Sequence, residues 1–160
     1  MQPLNSPLEV GLRSLIVLTA VFPRKLDVRQ LSVLDHLLLR SGDSGGPPSV
    51  LPPIPARSGE LGFKRTVLER GLTVMVRARL LRVVPESEGL FYQADEHAWP
   101  FLQLLDSAHA DELMRVAVWI ADEVGDRSNA ELSNWLTTHE SHVLRARVAA
   151  DNDDEGTTSI

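Results

Sequence analysis

Five of the ten prolines and three of the ten glycines fall between positions 41 and 58. Proline fixes its own φ, withholds a backbone donor and restricts the residue before it. Neither a helix interior nor a central strand tolerates such a run. The stretch SGDSGGPPSVLPPIPARS is therefore expected to be a long ordered or semi-ordered loop around which the rest must fold. Loops of this length without secondary structure of their own are uncommon and often functional.

Before the loop the text is helical. Ser6 and Glu9 stand at capping-box spacing, and Pro7 takes the first helical position, where a missing N–H costs nothing. Leu8, Leu12, Leu15, Ile16 and Thr19 keep helical spacing until Phe22-Pro23 ends the run. A second helix opens at Asp27, boxed with Gln30, with Leu26 and Leu31 at the staple positions. Leu31, Leu34, Leu37 and Leu38 form its apolar stripe, which Gly42 stops.

After the loop, Leu61, Leu68, Leu72, Met75 and Val76 line one side of a further helical segment, which Gly71 could divide in two. RLLRVVPESEGLFYQA, residues 79–94, sets large or β-branched residues around a polar turn and reads as a β-hairpin. Three helical stretches follow. One starts near Asp95 and carries Trp99, Phe101 and Leu105. The next, 107–124, has Leu113, Val116, Ile120 and Val124 in register before Gly125. The last opens with Ser128 and Glu131 and carries Leu132, Trp135 and Leu136. Three helical segments, a hairpin, then helices is the order of a winged helix-turn-helix core. The expected fold class is mainly α, with a small β-hairpin wing and a C-terminal helical extension. Its expected units are a winged-helix-like domain over 1–106, the extension over 107–148 and a disordered acidic tail over 149–160.

The opening of the loop, GDSGGP at 42–47, is the string that surrounds the nucleophilic serine of chymotrypsin-like proteases. A serine nucleophile needs a base within hydrogen-bond reach and an acid to orient it. The one histidine before Ser44 is His36, inside the leucine stripe of the second helix, and mostly helical text cannot supply two β-barrels. Glycine, aspartate, serine and proline are also simply what turns use, so no catalytic role is expected for Ser44. His139 and His142 could offer two imidazoles to a metal, but no third ligand is evident and a solvated helix face is the simpler reading. Asp35 with Asp43, or Glu86 with Glu88, are expected to be ordinary exposed acids. No P-loop appears, and with no cysteine neither disulfides nor thiol chemistry arise. No catalytic, metal or cofactor site is expected.

The net charge of −6 is uneven, because Asp151, Asp153, Asp154 and Glu155 hold four of the negative charges. Against that trend, Arg57, Lys64, Arg65, Arg70, Arg77, Arg79 and Arg82 face only Glu60 and Glu69 over residues 57–82. The segment falls where a winged helix puts its recognition helix, whose arginines serve phosphates or base edges. The hairpin beside it is acidic, with Glu86 and Glu88 at the tip and Asp95 and Glu96 after it, and phosphates would repel it. Arg57, Lys64, Arg65, Arg77, Arg79 and Arg82 are therefore candidate contacts for a protein partner or DNA, or else they pair within the chain. The first apolar run, LEVGLRSLIVLTAVF, is too short and too charged for a membrane span or signal peptide, so a cytoplasmic protein is expected.

The strings NSPLEVGLRSLIVLTAVFPRKLDVRQLSVLDHLLLRSGD, PPS, RSGELGFKRTVLERGLTVM and GLFYQADEHAWPFLQLL add a resemblance. They are similar to middle-component subunits of ABC-three-component systems, the Lamassu-like group of antiphage defence operons. The resemblance implies a non-enzymatic adaptor that bridges an SMC-like ABC ATPase and an effector such as a nuclease, with DNA engaged within the complex. It also implies that the loop and the start of the next helix, Arg57 to Arg65, are docking surface. The alternative is a stand-alone winged-helix transcription regulator.

Overall fold

A computed structural model describes residues 6–50 and 60–139, with the side chains of 60–64 excepted. Arg57, the second half of the proline-rich loop, His142 and the acidic tail lie outside the described residues. The elements are α1 (Pro7–Ala20), α2 (Val28–Leu39), a 3-10 turn (Ser41–Ser44), α3 (Glu60–Arg77), β1 (Leu81–Glu86), β2 (Gly89–Ala94), α4 (Ala98–Gln103) and α5 (Ala108–Val124). A last helix, α6, runs over 129–139.

Each helix start has a local cause. Ser6 Oγ accepts from Glu9 N at 3.2 Å, and Ser107 Oγ and Ser128 Oγ do the same for Ala110 N and Glu131 N at 3.3 and 3.1 Å. At α2 the box is complete. Asp27 Oδ1 accepts from Gln30 N at 2.8 Å, and Gln30 Oε1 accepts from Asp27 N at 3.0 Å. Its other end is not idle, because Gln30 Nε2 donates to Asn129 Oδ1 at 2.8 Å and so ties the start of α2 to the start of α6.

α1 is the central element, packed against α2, α3 and α5, and Leu15, Ile16, Val17 and Leu18 are buried in it. Its crossing with α3 is backbone on backbone. A Cβ on Gly71 would lie 2.5 Å from Pro7 O and 2.7 Å from Gly11 N. One on Gly11 would lie 2.6 Å from Gly71 O. Gly71 therefore does not divide the segment, as the sequence left open, and α3 runs unbroken through it. The glycine is there because the neighbouring helix leaves no room for a side chain.

A second departure concerns Asp35, expected to be exposed. It is buried, and so is Arg13 opposite it on α1. Arg13 Nε donates to Asp35 Oδ1 at 2.7 Å and Nη2 to Oδ2 at 3.3 Å, a two-pronged pair across the α1–α2 contact. An ion pair without water around it survives only with such geometry.

The hairpin pairs Leu81 with Ala94 through Glu86 with Gly89, leaving Ser87 and Glu88 as the turn. Leu26, between α1 and α2, adds a one-residue third strand. Its N–H donates to Tyr92 O at 3.0 Å and its carbonyl accepts from Tyr92 N at 2.8 Å. Because Tyr92 spends both backbone groups on Leu26, the opposed Val83 and, two residues on, Pro85 turn their own away from β2. Proline thus occupies an outward position of an edge strand, where the N–H it lacks breaks no ladder bond. Helix, extended residue, two helices and a hairpin joined to that residue make a winged-helix-like, mainly α fold. α5 and α6 add Leu113, Val116, Ile120, Val124, Leu132 and Leu136 to the same apolar cluster that α1 centres.

Candidate interaction surface

The protease-like string closes a turn. Gly45 has φ +78°, the left-handed region that glycine enters without strain. Ser41 Oγ donates to Pro47 O at 2.8 Å, and Gly42 N donates to Ser49 Oγ at 3.0 Å. A Cβ on Gly46 would sit 2.8 Å from the Trp119 ring, so the loop backbone lies close against the indole of α5. Asp35, beside His36 in sequence, has both carboxylate oxygens on Arg13. A broad cleft of about 650 Å³ between Phe22 and Gly125 and a small one between α2 and α6 are lined by neither Ser44 nor His36. His139 Nδ1 meets Trp135 O at 3.0 Å within α6, and the two rings meet at a tilt of 44° with centroids 4.2 Å apart.

The wing acids are engaged with the body of the protein. Glu86 meets Lys25 in an ion pair, and Glu88 Oε2 accepts from Asn129 Nδ2 at 3.4 Å. At the base of the hairpin, Arg82 Nε holds Asp95 Oδ2 at 2.8 Å while His97 Nδ1 meets Oδ1 at 2.9 Å. The Arg82 hydrogen bond, then that of His97, lowers the Asp95 carboxyl from 3.8 to about 2. Asp95, Glu96 and His97 come close enough together for a cation, but Arg82 and His97 already occupy both oxygens of Asp95. Tyr92 is pushed up by burial first and by the charge of Glu69 second.

These contacts divide the candidate arginines. Arg65 is paired with Glu69, Nε to Oε1 at 3.3 Å, one turn along α3. Arg82 is paired with Asp95. Arg77 and Arg79 are exposed, and among the described residues no acid lies within ion-pair distance of either. The same holds for Arg70, which the candidate set omitted although its spacing from Arg77 puts both within about 20° of one helical face. Val74, 41 % exposed, lies between them. Arg65 sits about 120° around the helix from Arg77, on a different side. Lys64 is within α3, but its side chain, like all of Arg57, lies outside the described residues.

Arg79 is held unusually. Its φ is +63°, and it is the one non-glycine residue with positive φ among those described. Leu80 N donates to Met75 O and Arg79 N to Val76 O, both at 3.0 Å, which is a Schellman closure of α3 with arginine where glycine is usual. Leu80 and Met75 are both buried beneath it. A side chain in this region costs about 1–2 kcal/mol relative to right-handed backbone.

The model of one protein family, ABC-three component (ABC-3C) system Middle Component 2, matches residues 3–146. The chain belongs to that family. No curated protein and no solved structure matches it. Middle-component membership makes an accessory subunit the functional class, and other components of the system its partners. No helix among the described residues is long and apolar enough to cross a membrane.

Proposed function

We propose that this middle component is a non-enzymatic, cytoplasmic adaptor. It joins an SMC-like ABC ATPase to an effector such as a nuclease in a Lamassu-like antiphage system, with DNA engaged inside the assembly. What supports the reading, beyond family membership, is the pairing pattern of the charges. The acids of the wing and several arginines are spent within the chain, whereas Arg70 and Arg77 share an exposed face of α3 and Arg79 is exposed just past its end. Arginine is enriched at protein interfaces, where its planar fork meets carboxylates and its stem covers apolar surface. Of the sequence candidates, Arg77 and Arg79 carry the contact. Arg57 and Lys64 are further contacts of the same partner, and Arg65 and Arg82 serve it only if they exchange partners. The 107–148 extension acts as a buttress for the 1–106 core, with 149–160 as an acidic tail.

The test is expression of the tagged chain from its own operon. Recovery of a large coiled-coil ATPase and a second component at gentle salt is the expected result, and recovery of the chain alone refutes the reading. A stand-alone regulator has one observation in its favour. With Glu86 on Lys25 and Asp95 on Arg82, the wing repels phosphate less than its composition implies. That reading requires promoter binding at about 10⁻⁸ M or tighter at physiological salt, with steep weakening as salt rises.

A further inference from the structure

A left-handed arginine that caps a helix gives up stability that glycine would keep at no loss to the cap. The two Schellman hydrogen bonds come from backbone N–H groups, which glycine would supply equally, and the residues buried beside them are Leu80 and Met75. Among the described residues no acid pairs with that side chain, so no ion pair among them offsets the strain. Strain of this kind clusters at functional positions, where a contact made elsewhere requires it. The neighbours of Arg79 agree on what that contact is. Arg77 stands two residues before it at the negative end of the α3 dipole, Arg70 lies on the Arg77 face, and Val74 is the apolar residue between them.

We infer that Arg79 is a partner-contact residue whose left-handed backbone aims its guanidinium, with Arg70 and Arg77, at a carboxylate-bearing surface of another protein component of the system. The inference rests on the adaptor reading above. A protein is favoured over DNA because an exposed valine, Val74, lies between Arg70 and Arg77 and offers apolar contact that a phosphate backbone does not take up. An Asp or Glu side chain takes the arginine fork in two parallel hydrogen bonds, and such pairs carry much of the energy of an interface.

Arg79→Gly and Arg79→Ala separate strain from contact. Glycine removes both the guanidinium and the backbone cost, whereas alanine removes the guanidinium and keeps the cost. The melting temperature of the isolated chain should rise by about 2–4 °C in the glycine variant and stay near wild type in the alanine variant. Affinity for the purified partner components, titrated by calorimetry at physiological salt, should fall roughly tenfold or more in both. Arg115→Ala, which removes an exposed arginine of α5, should leave affinity unchanged. If the glycine variant melts no higher than wild type, or if both variants bind as wild type does, the inference is wrong. Tight binding of a random-sequence DNA duplex that Arg79→Ala abolishes, with partner affinity untouched, overturns it in favour of phosphate. Absence of any partner binding by the wild-type chain is a different failure, since it removes the adaptor reading itself.

Discussion

Arg13 lies at the middle of a helix whose other inward residues, Ser14 apart, are apolar, and a charge in that position must find a counter-charge. Asp35 supplies it with both oxygens, and neither group keeps measurable contact with water. Removing one partner strands the other, so Arg13→Leu should lower unfolding free energy by about 3–5 kcal/mol in urea titrations. Arg13→Leu with Asp35→Leu should cost much less than the single change, because the stranded charge goes with its partner. Asp95 gives a second residue-scale expectation. Its carboxyl is lowered from 3.8 to about 2 in the folded protein, so the stabilisation it brings is present above the usual carboxylate range. That stabilisation is lost as pH falls toward about 2, because the unfolded chain takes up the proton first. The stability difference between wild type and Asp95→Asn should therefore be full at pH 7 and vanish at the acid end of the titration.

At the scale of elements, the α1–α3 crossing sets the position of the arginine-bearing helix. Helices that touch through Gly11 and Gly71 approach more closely than any pair separated by side chains. That closeness decides where α3 and its cap at Arg79 stand relative to the wing. On an isolated helix Gly71→Ala would help by about 1 kcal/mol. Here the added methyl meets the Pro7 carbonyl at 2.5 Å, backbone that cannot step aside. The expected net outcome is a loss of about 1–3 kcal/mol, read by thermal or urea unfolding. A gain would mean that the helices do not cross there. The wing owes its place to similar tethers, namely the Leu26 bridge to Tyr92, Gln93 Nε2 on Pro23 O at 2.7 Å, and Lys25 on Glu86.

For the whole molecule, the question is whether the helices after position 106 form a separate body. Leu113, Val116, Ile120 and Val124 pack into the cluster that Leu15, Ile16 and Leu18 occupy, and Trp119 carries the loop that follows α2. A small domain that shares one apolar cluster is expected to open as one cooperative unit. In native-state hydrogen exchange, amides at the centre of α5 should therefore open with the same free energy as those at the centre of α1. A clearly lower value across α5 would show an extension that unfolds on its own.

Element identities were legible along the chain because their causes are local. Caps at Ser6, Asp27, Ser107 and Ser128 satisfy helix-start donors a few residues away, and the hairpin turn lies between its own strands. The apolar spacing also marked which faces turn inward, and the order of elements sufficed for a winged-helix-like fold. Only the tertiary structure decided what each charge and glycine is for. Ion pairing acts over a few ångströms of space between residues far apart in sequence, so Arg13 with Asp35, and Lys25 with Glu86, could not be read from spacing. The same holds for Gly71, a helix breaker by propensity and a crossing point in fact, and for Arg79, whose left-handed backbone no pattern of residue types announces.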